Sequence, residues 1–138
     1  MRADDELLLA RARDLVATGW CRVGLAQDRN GRQVEPWRSA ARSWSPLGAL
    51  LAALYLGSDG SLDSFRIAYT CLALATGGRL EAWNAERWRT QQHVLSAFVR
   101  ARDLVPSVRR NLEEATEEPR PVVAISRRPA KTQAAAAS

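Results

Sequence analysis

The sequence predicts a mainly α fold: a compact four-helix domain with a small β-hairpin after the first helix and a disordered C-terminal tail. Three observations carry this. Apolar residues recur at helical spacing in four separate stretches. Between the first two of these, the period changes to two around an Asp-Arg-Asn-Gly turn signal. Beyond Pro106 the aromatic residues stop, while Glu, Pro and Ala accumulate.

The first helix is expected over Asp4 to Thr18. Asp4, Asp5 and Glu6 complement the dipole at its start, and Leu8, Ala12, Leu15 and Val16 share one face before Gly19 ends it. From Trp20 to Val34, Val23 and Leu25 point to one side, and Asp28-Arg29-Asn30-Gly31 marks a tight hairpin. Such a hairpin is marginal alone in water, so it must lie on the helices.

After a polar connection from Pro36 to Ser43, the second helix opens at Ser45-Pro46, a favoured N-cap followed by a favoured first helical residue. Leu47, Leu50, Leu51 and Leu54 form its apolar face, and Gly48 permits the close approach of another backbone. The Gly57 to Ser61 loop leads to a third helix, Leu62 to Thr76, with Phe65, Tyr69, Leu72 and Thr76 on one stripe. Asp63 is read as its cap and Gly77-Gly78 as its stop. A fourth helix starts at the N-cap Thr90 and carries Val94, Ala97, Phe98, Ala101 and Leu104 up to Pro106, with a short extension expected from Ser107 to Ala115.

With 138 residues, 46% apolar residues and five Trp, the chain can build one core. Residues 1–105 are read as the globular domain. Residues 106–138 are read as a flexible Pro/Glu/Ala-rich tail, too poor in apolar surface to offset the entropy of ordering. The longest apolar run, Leu47 to Leu56, is too short for a bilayer and the amino terminus is acidic, so the expectation is a cytoplasmic protein with no membrane contact. Cys21 and Cys71 are accordingly expected to be reduced. The net charge of +5 comes from 19 Arg and a single Lys, a skew that matches GC-rich codon usage as well as it matches a nucleic-acid partner.

Gly19-Trp20, Ala26 to Arg32, Trp44 to Leu50, Trp83-Asn84, Arg89-Thr90 and Val94 to Ala101 together resemble a family of small bacterial and phage proteins known only as a domain of unknown function. The resemblance covers about residues 5 to 104 and implies a compact helical fold in a bacterial or phage setting, with no activity attached. Ser45 stands where the family often has Cys, and Ala85 where it often has Asp. Chemistry that depended on those residues would be lost here, which weighs against an enzyme.

Trp83-Asn84 would serve as a ligand platform, with the indole stacking and the amide reading a polar edge, but is better explained as a buried Trp and an Asn tying down the loop before the fourth helix. His93 shares no short ligand spacing with Cys21 or Cys71, so no metal and no cofactor is expected. A small hydrolase or transferase would need His93 beside a thiol or carboxylate in a deep pocket. Asp28 to Glu35 lacks the glycine position of a calcium loop, and Gly57 to Ser61 lacks the Lys of a phosphate loop.

The expected function is a non-enzymatic accessory protein that binds another protein. Trp88, flanked by Arg87 and Arg89, is the leading contact, with Trp37 and the tail residues Val122, Val123 and Ile125 as further partner-binding candidates. The alternative is a nucleic-acid-binding surface in which Arg29, Arg32, Arg38, Arg42, Arg87 and Arg89 hold phosphates and Trp37 and Trp88 stack on bases.

Overall fold

The computed structural model describes residues 4–57 and 61–117. Among them are five helices: α1 (Asp4–Thr18), α2 (Pro46–Leu56), α3 (Leu62–Ala75), α4 (Leu80–Ala85) and α5 (Gln91–Glu117). Two short strands, β1 (Ala26–Gln27) and β2 (Ser43–Trp44), form one antiparallel sheet. The helix count is one more than the sequence predicts. The addition is α4, six residues with no side-chain cap at Arg79, too short to declare itself through periodicity.

Helix α5 packs along α3 and α1, and α1 packs on α2. Their shared core holds Leu8, Leu9, Ala12 and Val16 from α1, Leu50 from α2, Cys71 and Leu72 from α3, and Val94, Phe98, Ala101 and Val105 from α5. Full burial of each large apolar side chain contributes about 1.5–3 kcal/mol. In α2 the expected leucine face is only partly the buried one. Leu50 is enclosed, but Pro46, Ala49, Ala52 and Ala53 are the other buried side chains, and Leu47, Leu51 and Leu54 are half-buried. Small residues occupy the side where neighbouring backbone comes closest, and a Cβ on Gly48 would collide with the Leu25 carbonyl.

Capping fixes the helix boundaries. Ser45 caps α2, its Oγ accepting from Gly48 N at 3.1 Å. The cap of α3 is Ser61, whose Oγ accepts from Ser64 N. Asp63 instead lies in the first turn and pairs with Arg66, so the expected cap was two residues late. Gly77 and Gly78, both at positive φ, close α3: Gly78 N donates to Ala73 O and Gly77 N to Leu74 O, the paired bonds of a Schellman stop.

The hairpin differs from expectation in its partner. The Asp28 turn is present, with Asp28 Oδ1 accepting from Asn30 N and Arg32 N and with Gly31 at positive φ. Only a single bridge, Gln27 to Gln33, follows it. The strand pairing of β1 is with β2, in the register Ala26 to Trp44 and Gln27 to Ser43. The β2 backbone also exchanges hydrogen bonds with the chain leaving α1, Trp44 N donating to Gly19 O and Cys21 N to Trp44 O. Val23, expected on a packed face, is largely exposed.

The expected stop at Pro106 does not occur; α5 continues through it, and the expected Ser107 to Ala115 extension is continuous with the main helix. A proline inside a helix removes one backbone bond and crowds the preceding turn, at about 3 kcal/mol or more. Packing beyond the proline offsets this. Val108 is buried, and Arg109 forms an ion pair with Asp5, a carboxylate only 3% exposed in the first turn of α1.

Candidate interaction site

Five residues, Glu86 to Thr90, link α4 to α5, and the corner they form gathers three of the residues singled out for binding, Arg87, Trp88 and Arg89. Helix α4 ends at Ala85, and Glu86 to Arg89 turn back, with Arg89 N donating to Glu86 O at 3.0 Å. Helix α5 then starts from a reciprocal cap. His93 N donates to Thr90 Oγ1 at 3.2 Å while Thr90 N donates to His93 Nδ1 at 3.1 Å. This is a capping box with histidine in the place usually held by Glu or Gln. His93 therefore has a structural employment, and neither buried cysteine contacts it in any described interaction.

Trp88 projects from the turn and is 62% exposed. Its position is nonetheless defined: His93 meets it edge-on at 6.1 Å, and the Arg89 guanidinium lies 4.1 Å from its ring centre. The same guanidinium carbon lies 3.7 Å from the ring centre of Trp83, so Arg89 is in cation–π contact with two indoles. Arg89 is only 7% exposed. Its Nε donates to Trp83 O at 2.8 Å, and no other acceptor among the described residues takes a hydrogen bond from its side chain. Burial pushes the Arg89 pKa down, with nearby Glu86 opposing and Arg100 adding to the effect. Cation–π contacts supply about 0.5–2 kcal/mol, whereas taking an ion out of water without a counter-charge costs several kcal/mol even after relaxation.

The corner is anchored from behind by Asn84, which is 2% exposed. Its Oδ1 accepts from Trp20 Nε1 at 2.7 Å, and its Nδ2 donates to Cys21 O at 3.1 Å and Arg22 O at 3.0 Å. Asn84 thus ties α4 to the segment after α1, not to the loop before α5. All of its hydrogen-bonding directions toward that segment are used and Arg89 covers the Trp83 ring, so the pair is no open platform for a base or sugar. Arg22 stacks over Trp20 and donates through Nη1 to Glu86 O, tying the same segment to the turn.

Beside this anchor is a cavity of about 220 Å³, mostly apolar, bordered by Val23, Pro46, Leu47 and Leu80 with Ser45 and Asn84 among its walls. Ser45 and Ala85 both border it. Both thiols are buried. Burial pushes Cys71 up to about 11, and it raises Cys21 against an opposing hydrogen bond with Ser43. Among the described residues, no group of three or more His, Cys, Asp or Glu is placed to hold a metal ion, and no helix is long and apolar enough to cross a membrane.

Residues 2–104 match DUF6197, a family of unknown function. The chain belongs to DUF6197. The DUF6197 match takes in α1 to α4, the whole corner and the first half of α5, and it ends before Pro106. No curated protein and no solved structure matches the chain.

Of the residues proposed for partner binding, the fold brings Arg87, Trp88 and Arg89 together. Trp37 is elsewhere: it is half-buried and stacks on Tyr55 of α2 at 4.9 Å. Val122, Val123 and Ile125 lie outside the described residues. Several arginines of the nucleic-acid alternative have local partners. Arg38 pairs with Glu35, and Arg42 donates to the Ser39 and Ala41 carbonyls. Sequence reasoning missed Trp20 and Arg22 as supports of the corner. Both sit in a Gly-Trp segment that it did single out, but a contact across more than sixty residues leaves no local signal.

Proposed function

We propose that this protein is a non-enzymatic accessory protein of a bacterial or phage cytoplasm, and that it binds another protein through the α4–α5 corner. The observation that carries this reading is Trp88, a large aromatic ring that is mostly exposed yet held in place by Arg89 and His93. An exposed, pre-positioned indole loses little conformational entropy on binding, and Trp and Arg dominate protein-binding hot spots. Enclosure and raised pKa make both thiols poor nucleophiles, and the engagement of His93 in a helix cap supports a binding role over a catalytic one.

The test is recovery of bound material from the native host with wild-type protein and Trp88→Ala, at low and high salt and after nuclease treatment. The expected result is a protein partner that survives both treatments and is lost with Trp88→Ala, since truncating a hot-spot Trp weakens binding by about 2–4 kcal/mol. Recovery of only salt-labile, nuclease-sensitive material would overturn the reading in favour of nucleic acid.

A further inference from the structure

We propose that Arg89 is a carboxylate receptor, and that the partner segment packing on Trp88 carries an Asp or Glu side chain that binds the guanidinium edge between Trp83 and Trp88. This rests on the corner being a protein-binding surface and adds the chemistry of what it binds.

Arg89 has an incomplete set of hydrogen-bond partners among the described residues. A guanidinium has five N–H donors and no acceptor. In Arg89 only the Nε–H is matched, by Trp83 O, so the four Nη hydrogens have no acceptor among the described residues although the residue is 7% exposed. The two indoles contact the guanidinium but bring no counter-charge. Glu86 is near enough to be felt electrostatically, yet it forms no ion pair among the described residues, and its backbone carbonyl already accepts from Arg22 and from Arg89 N. A largely enclosed cation with four N–H groups free of protein acceptors among the described residues is a place where an anion adds charge-assisted hydrogen bonds.

The class of anion follows from shape and surroundings. With two indoles in contact with the guanidinium, the group left to an incoming anion is its Nη edge, where two parallel N–H groups match the two oxygens of a planar carboxylate. Arg22, Arg87 and Arg100 surround the site with the same sign of charge and favour an acidic visitor. A polyphosphate backbone fits less well, because Glu86 borders the same shallow cleft as Arg87 and Trp88 and repels a run of phosphates. An extended peptide placing one acid beside an apolar residue satisfies both Arg89 and Trp88.

The experiment uses the full chain, labelled with ¹⁵N, and a phage-displayed library of random dodecapeptides selected in parallel on wild type and Trp88→Ala. Enriched peptides are synthesised in Glu and Gln forms and titrated while the Arg89 Nε–H signal is followed, so that no protein substitution is needed to probe the carboxylate. The expected result is Trp88-dependent enrichment of peptides sharing one acidic position. The Gln form should bind at least roughly tenfold more weakly, as loss of one partner of a desolvated charge pair does, and only the Glu form should shift Arg89. Trp88-dependent peptides that bind equally in both forms would overturn the carboxylate receptor and leave the protein-binding corner standing. Enrichment that is absent, or equal on Trp88→Ala, would overturn both. An octathymidine oligonucleotide that shifts Arg89 at lower concentration than any selected peptide would assign the site to nucleic acid instead.

Discussion

Arg109, in the turn after Pro106, reaches across to Asp5 and holds its enclosed carboxylate by two hydrogen bonds, at 2.5 and 3.3 Å, joining the two ends of the described fold. Replacing Arg109 by Ala would leave the Asp5 charge unpaired. Loss of one partner from a fully buried pair typically costs about 3–5 kcal/mol. Here Arg109 keeps 36% of its side-chain surface in water, so about 2–3 kcal/mol is expected. Urea unfolding of Arg109→Ala and of Asp5→Leu/Arg109→Met measures this, and the double variant should recover most of the loss. The same pair predicts that a chain ending at residue 105 melts well below one ending at residue 117.

Asn84 supplies the second prediction. Asn84→Asp keeps the acceptor for Trp20 Nε1 but sets a carboxylate against the carbonyls of Cys21 and Arg22, where an amide had donated. A loss of about 2–4 kcal/mol is expected at neutral pH. Protonation restores one donor, so the folded-state pKa of this new carboxyl lies above its unfolded value. Stability relative to wild type should then recover as the pH falls. Chemical denaturation of both proteins at neutral and acidic pH tests the sign.

Cys71 gives a prediction at the alkaline end. Its pKa rises from an ordinary value of 9.0 to about 11, mainly through burial, with Asp5 reinforcing and Arg109 opposing. The folded state therefore holds the thiol proton after the unfolded chain has released it. The resulting stability is fully present below pH 9 and is lost as the pH climbs toward 11. At 1.36 kcal/mol per pKa unit this amounts to about 3 kcal/mol. Cys71→Ala should flatten that part of the stability profile, and disulfide reagents should modify wild-type Cys71 no faster than the protein opens.

The Thr90 and His93 cap makes a fourth. Thr90→Ala should cost about 1 kcal/mol, as the loss of an N-cap hydroxyl does. His93→Glu should cost less than about 0.5 kcal/mol, because a glutamate at that position makes the same reciprocal bond. Thermal unfolding of the two variants distinguishes this arrangement from a catalytic use of His93, which Glu would not preserve.

The boundaries of α1, α2 and α3 could be read from the sequence because their signals are local. Ser45-Pro46 opens α2, Gly77-Gly78 closes α3, and Thr90 precedes α5. What could not be read depends on distant partners. Pro106 ends a helix by local rules, and only the burial of Val108 and the pairing of Arg109 with Asp5 let α5 pass through it. Val34 follows the Asp28 turn as a hairpin strand should, but β1 takes its longer pairing from Ser43-Trp44, which the chain leaving α1 also secures. At the corner, the composition of Arg87, Trp88 and Arg89 was visible, while the enclosure of Arg89 required Trp83 to fold back against it. Asn84 was legible as structural, but its partners after α1 were not.

The length of α5 separates two ends of the molecule. Its 27 residues, at 1.5 Å of rise each, extend about 40 Å from Gln91 to Glu117. The corner sits at the start of this rod, and the chain beyond Glu117 departs from its finish. An attachment point or fusion placed after Glu117 is thus carried well clear of Trp88, and a chain tethered there presents its indole outward.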